Sequence, residues 1–199
     1  MQQTRTQNRP SGAPVYIETN GYLLRSLVPA DVTPRFLQWM NSPELLSGLN
    51  LPALNFTSAS LAQFIAGFNN LNNYLVGIFD LKTKLLIGFY ALDVSLLHKV
   101  GNVTTGIGEP DYLGKKVFWA TEDAFHDYFF TYRDLYKITA RVLATNRRML
   151  FNFIGSPTFV LEGRLYKECI VKGGKRSDVL LFSVFKDRED ALKAGQSML

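Results

Sequence analysis

The sequence contains few of the side chains that bind metals or form cross-links. Its 199 residues include one cysteine, Cys169, and two histidines, His98 and His126. A single cysteine cannot form an internal disulfide, and so few thiol and imidazole ligands do not suit a structural zinc site. The histidines lie far apart, without a serine or acid at the spacing of a hydrolase triad. We therefore expect no metal, no disulfide and no triad.

Long apolar runs are missing as well. No stretch approaches the roughly 18 apolar residues of a membrane span, and the first residues lack the apolar run of a signal peptide. Residues 1–15 are polar and include two prolines and a glycine, so we expect a flexible N-terminal arm there. Residues 16–199 are ordinary in composition for one globular domain. With no membrane partner or export indicated, we expect a cytoplasmic protein.

The chain has no acidic excess. Its net charge is +5 and its sequence pI is near 9.3. Nucleic-acid binding is one hypothesis for such a chain, but the basic residues form no single long stripe. A small polyanionic ligand suits the same balance, and solvated surface charge is the simplest interpretation.

Apolar patterning indicates alternating strands and helices. Helical spacing occurs at 32–40, 58–68, 117–130 and 147–154. Apolar or alternating runs typical of strands lie at 22–27, 74–80, 85–94, 102–108, 137–143, 159–171 and 179–185. The order of these elements predicts an α/β (α+β) fold.

Four fragments, in this order and at plausible spacing, resemble the GNAT acyl-CoA N-acyltransferases. The branch they resemble is the RimJ/RimL-like one, typified by ribosomal-protein alanine acetyltransferases. The fragments are LRSLVPAD followed by QWMNSPEL (24–31 and 38–45), IGEPDYLGKK (107–116), YKITARVLATN (136–146) and the closing segment 162–189. The resemblance implies a mixed, mostly antiparallel sheet of about seven strands flanked by about four helices. It also implies that strands 102–108 and 137–143 splay apart.

The resemblance further implies acetyl-CoA as co-substrate, with its pyrophosphate bound where a loop meets a helix N-terminus. The matching loop residues, which we expect to bind the cofactor, are Leu113, Gly114, Lys115, Lys116, Val117 and Phe118. The family pattern is R-x-x-G-x-G or Q-x-x-G-x-G. Here Leu113 replaces the first residue, and Lys116 and Phe118 replace the later glycines. Lys115 and Lys116 could offset the loss as point charges, and the alternative is a weakened or altered cofactor site.

A second cofactor-binding group is expected around Asn146. It matches the family's asparagine after the fifth strand, whose amide can bond the pantetheine arm, and it can equally cap the following helix. Phe151 and Phe153 complete the expected cofactor contacts. In the family a serine and a tyrosine general acid often follow the asparagine, but this chain has Met149 and Phe153 there, so it lacks that acid.

The resemblance places the catalytic groups near the strand at 102–108. Its oxyanion donor is usually a backbone N–H, expected here around Thr105, Gly106 and Ile107. The family's glutamate base matches Asn102, which leaves Glu109, and then Glu122, as the nearest carboxylates in sequence. Glu109 is the catalytic candidate, although both are expected more often to be solvated. No general base is assigned.

Three functions remain open from the sequence. The first is an acetyl-CoA dependent N-acetyltransferase that transfers directly to a primary amine, either a protein N-terminus or a small-molecule amine such as an amino sugar. The second is a catalytically degenerate GNAT-fold binding module. The third is a basic nucleic-acid binder, the least favoured. We expect an acyltransferase enzyme, either monomer or homodimer, with a peptide or small-molecule amine acceptor.

Overall fold

One eight-stranded sheet forms the centre of the protein, in a computed structural model that describes residues 10–187, 189–191 and 193. Its spatial order is β1-β2-β3-β4-β5-β6-β8-β7, and every neighbouring pair is antiparallel except β5 and β6. The strands are β1 (Tyr16–Thr19), β2 (Tyr22–Ser26), β3 (Asn73–Asp80), β4 (Leu86–Ser95), β5 (Val100–Ile107), β6 (Lys137–Leu143), β7 (Val160–Ile170) and β8 (Arg176–Phe185).

Side chains cap the first turns of α1 and α2. The Thr33 side chain accepts a hydrogen bond from Phe36 N at the start of α1, and Ser42 does the same for Leu45 N at the start of α2. None of the helices in the described residues has the length and apolar character to cross a membrane. The helices are α1 (Pro34–Met40), α2 (Pro43–Gly48), α3 (Ser58–Ala66), α4 (Val117–Tyr132) and α5 (Arg147–Gly155), with 3-10 turns at Pro29–Asp31 and Pro110–Tyr112.

This architecture confirms the expected fold class. Two elements were missed, β1 and α2, because four and six residues are too short to show a period. Asp31 lies in a 3-10 turn and pairs with Arg25. Of the expected N-terminal arm, residues 1–9 lie outside the described residues, and Val15 is buried. The division into arm and domain stays a prediction.

Two apolar layers cover the two faces of the sheet. On one face, α4 packs its aromatic side against the strands, with Tyr90 of β4 stacked on Phe125 at 4.3 Å between ring centroids. On the other face, α1 and α3 bury Phe36, Trp39 and Ile65 against β3 and β4. The packing of α4 fixes where that helix begins, just beyond the end of β5.

Glu122 and His126 are buried in the apolar layer under α4, one helical turn apart. Within the described residues, Glu122 Oε2 and both His126 ring nitrogens have no hydrogen-bond partner. Burial raises the pKa of Glu122 to about 7, although a bond from Ser156 partly opposes this, and burial lowers the pKa of His126 to about 3. The expectation that Glu122 is solvated is therefore wrong, because the helix turns it toward the sheet.

Replacing Glu122 by Gln should change how stability depends on pH. Glu122 holds its proton to a higher pH in the folded protein than its ordinary pKa of 4.5 allows when unfolded, so it makes stability fall between about pH 4.5 and pH 7. His126 has the opposite effect below its ordinary pKa of 6.5. The free energy of unfolding of Glu122→Gln relative to the parent should therefore rise across pH 4.5–7, by at most about 1.4 kcal/mol per pH unit.

Denaturant titrations at several pH values test this expectation. Asp123→Asn is the matched control, because Asp123 is the next residue on α4 and is exposed. Its stability should track the parent. Parallel stability curves for Glu122→Gln and the parent would show that the folded protein does not shift the titration of Glu122.

Candidate functional site

The sheet opens between β5 and β6, its only parallel neighbours in the described residues. Their ladder joins Val100–Val103 to Lys137–Ala140 and stops there, as the expected splay requires. Beyond that point β5 remains paired with β4 up to Ile107, and β6 remains paired with β8 up to Leu143. The facing backbone groups of the two strands therefore have no ladder partner in the gap, and a ligand can reach them.

The gap is a cleft of about 250 Å³. Thr105 of β5, Arg141 of β6 and Asn146, Met149 and Phe153 from the start of α5 all line it. Thr105 Oγ1 donates to Phe89 O at 2.9 Å, so this side chain is already satisfied by β4. The cleft therefore brings together three of the residues expected at the site, Thr105, Asn146 and Phe153.

Asn146 spans the cleft between two helices. Its Oδ1 accepts from Met149 N at 3.2 Å, which caps α5, and its Nδ2 donates to Gly48 O at 2.9 Å, at the end of α2. Both interpretations offered by the sequence are therefore possible, because the amide is a cap and its Nδ2 lies at the cleft wall. A bound pantetheine arm would have to replace Gly48 O as the acceptor of the Asn146 Nδ2 hydrogen bond.

The segment after β5 leads directly into the start of α4. Lys116 is the N-cap residue in left-handed conformation, with φ 58°, and no side chain caps the helix. The first intrahelical acceptor is Lys116 O, which bonds Ala120 N, so the N–H groups of residues 117–119 precede the helical ladder. With the dipole of a 16-residue helix behind them, these groups form a suitable environment for phosphate.

The loop's side chains divide into exposed and buried groups. Lys115 lies over the Tyr112 ring at 5.1 Å and Lys116 over the Trp119 ring at 5.7 Å, and both lysines are exposed. Val117 and Phe118 are buried in the core, so only their backbone can meet a ligand. Leu113 is exposed, and Gly114 has φ 76° with open space around it.

The two phenylalanines of α5 occupy different environments. Phe153 is buried against Phe118, with ring centroids 5.2 Å apart, and also borders the cleft. Phe151 is 68% exposed and stacks on Trp119 at 5.6 Å. Lys116, Trp119 and Phe151 thus form a continuous surface beside the phosphate loop. The sequence did not indicate that Trp119 belongs to this surface, since its place within an apolar helical run is typical of a core residue.

The expected oxyanion donors lie on the strand that borders the cleft. Gly106 is opposite Phe89 and Ile107 opposite Gly88 in the β4–β5 ladder. A Cβ on Gly106 would approach Leu45 Cδ1 to 2.8 Å, so this position is closely packed against α2. Of the three expected residues only Thr105 lines the cleft, and the catalytic role of all three stays a prediction.

Glu109 is held in an ion pair. It is 1% exposed, and both of its oxygens accept hydrogen bonds from the Arg35 guanidinium of α1. These bonds from Arg35 hold the pKa of Glu109 below its ordinary value. A carboxylate in this state is a weak proton acceptor, so the geometry favours a structural role that ties α1 to the end of β5.

Asp93 is a carboxylate that the sequence analysis overlooked. It lies on β4 directly opposite Asn102, the position that matches the family's base. Asp93 is exposed, and its carboxylate has no hydrogen bond or ion pair with any other described residue. Opposite residues in an antiparallel pair have Cβ atoms about 5 Å apart. That Asp93 faces Asn102 could be recognised only once the β4–β5 pairing was known.

This combination of a mostly antiparallel sheet, one parallel pair that splays and an uncapped helix after the fifth strand is the GNAT fold. No family model matches the sequence, and no curated protein matches it significantly. The fold resemblance expected from the sequence is therefore confirmed by structure alone.

Several solved structures share this fold. The ribosomal-protein-S5-alanine acetyltransferase of Vibrio fischeri superposes with a TM-score of 0.75 at 19% identity, covering 87% of this chain and 97% of that one. Spermidine N-acetyltransferase of Vibrio cholerae, solved with CoA and spermine, gives 0.74 at 21% identity, covering 86% and 98%. A Salmonella typhimurium acetyl transferase that modifies the N-terminal serine of ribosomal protein L7/L12 gives 0.72 at 15%, covering 85% and 97%.

Two substitutions at Lys116 should separate its charge from its backbone conformation. Left-handed backbone costs a residue with a Cβ about 1 kcal/mol or more, so Lys116→Gly should be more stable than Lys116→Ala by about that amount. Both variants lose the ammonium. If Lys116 contacts a phosphate, Lys116→Ala should bind acetyl-CoA about fivefold more weakly at low salt, and the deficit should shrink as salt is added.

Calorimetric titration of the parent and both variants at two salt concentrations measures the effect on acetyl-CoA affinity. Affinity of Lys116→Ala equal to that of the parent at low salt would show that the ammonium points to solvent. If Lys116→Gly recovers the affinity that Lys116→Ala loses, close approach of the backbone controls acetyl-CoA binding and the ammonium charge does not.

Proposed function

We propose that this protein is an acetyl-CoA dependent N-acetyltransferase that transfers an acetyl group directly to a primary amine in a ternary complex. The observation that carries the proposal is the cleft between β5 and β6, together with the uncapped start of α4 that follows β5 in the chain. A thioester in the cleft and its pyrophosphate at the helix would be joined by the pantetheine arm. Structures with this fold include one solved with CoA.

The coenzyme would be held by backbone more than by side chains. The N–H groups of Gly114 and of residues 116–119 would bind the pyrophosphate, since Lys115 N already donates to Tyr112 O, and the side chains of Lys115 and Lys116 would add positive charge. Asn146 Nδ2 and the cleft border at Phe153 would contact the pantetheine arm, and Trp119 with Phe151 offers a flat surface beside the phosphates. No metal is required by this chemistry, and the described residues contain no cluster of metal ligands.

The reaction joins a neutral amine to the thioester carbonyl carbon. The new C–N bond forms as negative charge develops on the carbonyl oxygen, where backbone N–H groups of Thr105 to Ile107 are the proposed donors. The C–S bond then breaks, and the coenzyme A thiolate leaves and takes up a proton. The attacking nitrogen loses one proton, through water, to Asp93, the exposed carboxylate opposite Asn102.

A non-catalytic module is the second candidate. Phe153 stands where the resembled family has its tyrosine acid, and Glu109 is engaged by Arg35. A module of this kind would bind coenzyme A without turning it over. The thiolate of coenzyme A is a good leaving group, and so transfer without a side-chain acid is chemically reasonable.

Titration with acetyl-CoA followed by an amine panel tests the function. We expect saturable 1:1 binding by calorimetry, then release of free thiol in the presence of peptides with free N-termini, amino sugars or polyamines. No saturable binding would reject both the enzyme and the coenzyme-binding module. Binding without thiol release for any amine would favour the module.

Substitution tests the two carboxylates against each other. Asp93→Asn should lower kcat/KM about a hundredfold, because the proton acceptor is lost, and leave the melting temperature unchanged. Glu109→Gln should instead lower the melting temperature, since it breaks the ion pair with Arg35, and keep kcat/KM near that of the parent. An unchanged kcat/KM in Asp93→Asn would remove Asp93 from the mechanism, and a hundredfold loss in a folded Glu109→Gln would restore Glu109 to it.

A further inference from the structure

Positive charge is concentrated around the cleft. Residues 137–185 hold nine arginines and lysines and three carboxylates, whereas the rest of the chain holds 13 basic and 14 acidic residues. The net charge of the protein therefore originates from β6, α5 and the β7–β8 pair. These elements contribute most of the cleft wall opposite β5.

The three carboxylates of this region are already paired, and Asp178 pairs with Arg164. Glu162 pairs with Lys137, and Glu168 pairs with Arg141, the one charged residue that lines the cleft among those the structure describes. Among the described residues no carboxylate lines the cleft. The cleft lining itself therefore has no carboxylate to hold the second and third charges of a polycationic amine, although one protein of this fold was solved with spermine.

Four cations around the turn between β7 and β8 form a distinct group, the basic hairpin: Lys167, Lys172, Lys175 and Arg176. All four are exposed. Lys167 N donates to Asp178 Oδ1 at 2.7 Å, but none of the four side-chain cations forms an ion pair with a described carboxylate. The strands that carry them contribute Cys169 and Val179 to the cleft wall, close to the cations in sequence. None of the four lines the cleft itself, so only a ligand that extends out of the cleft can meet them.

The basic hairpin and the phosphate loop belong to different walls. The loop is joined to α5 through Lys116, Trp119 and Phe151. The cleft wall beside the hairpin includes no described residue of the loop or of α4. Cations needed for the coenzyme's phosphates are accounted for by Lys115 and Lys116, together with the exposed pair at residues 147–148 at the start of α5. The basic hairpin is therefore available to bind the acceptor.

We propose that the acceptor is an acidic polypeptide whose amine enters the cleft while its carboxylates lie along the basic hairpin. The inference rests on the proposed acetyltransferase function and deepens it. A polypeptide fits better than a nucleic acid, because the reaction needs a nucleophilic primary amine, and the amino groups of bases are poor nucleophiles. It fits better than a free amino acid, because the cations lie outside the cleft.

The test compares three peptides that share a free N-terminal residue and differ in the residues that follow, which are acidic, neutral or basic. We expect kcat/KM to fall in that order and the acidic advantage to shrink with salt. In Lys172→Gln/Lys175→Gln, the acidic peptide should lose about tenfold in kcat/KM through KM, from two exposed ion contacts. The neutral peptide and the KM for acetyl-CoA should not change.

The control removes two cations elsewhere. Lys99→Gln/Lys186→Gln carries the same charge change at the end of the sheet where β6 begins, and it breaks only exposed pairs with Asp134. It should behave as the parent. Equal rates for the three peptides would overturn the proposal, and so would a rise in the KM for acetyl-CoA in Lys172→Gln/Lys175→Gln, which would assign these cations to the coenzyme.

A binding measurement separates this inference from the proposed function. Fluorescence anisotropy of a labelled acidic peptide reports on the basic hairpin whether or not transfer occurs, and the measured affinity should weaken in Lys172→Gln/Lys175→Gln. Peptide binding without any acetyl-CoA binding would reject the proposed function and keep the surface. If a single-stranded RNA of equal charge displaces the peptide at lower concentration than unlabelled peptide does, the surface belongs to nucleic acid and the proposal is wrong.

Discussion

The end of the parallel ladder between β5 and β6 is the constraint on which the site depends. Each strand is committed to its outer neighbour for its whole length, β5 to β4 and β6 to β8. Because adjacent strands in a sheet are rotated relative to one another, two such halves joined by four residue pairs separate beyond the joint. Buried backbone groups without partners are costly, so the gap favours a molecule that can bond both edges.

Burial of charge distinguishes the two carboxylates that were both expected from the sequence to be solvated. Glu109 is ionised in a buried position because Arg35, 74 residues earlier, supplies two hydrogen bonds. Glu122 has no cation beside it among the described residues, so burial favours its protonated form. The same type of side chain therefore ties α1 to the end of β5 in one place and is a buried acid in the other. In both cases the protonation state is decided by the folded environment and could not be read from neighbouring residues in the sequence.

Local patterns were sufficient for the elements that position the site. Apolar alternation predicted the strands bordering the cleft, and the helical period of Val117, Phe125 and their neighbours predicted α4. Asn146 could be placed as a helix cap from its residue type alone, and the structure bears this out. What the patterns could not predict is which strands face one another. The opposition of Asp93 to Asn102 and the tie from Asn146 to Gly48 both depend on pairing between distant segments.

The outermost strand, β7, belongs to the wall of the cleft and is also an edge of the sheet. Its register with β8 shifts twice, and Lys167 within it has left-handed backbone with φ 50°. Irregular, charged edges do not template the addition of another strand. A regular eleven-residue edge beside an open cleft would invite a second chain to close the sheet across it. The irregularities thus disfavour the addition of another strand at this edge, which lies beside the cleft.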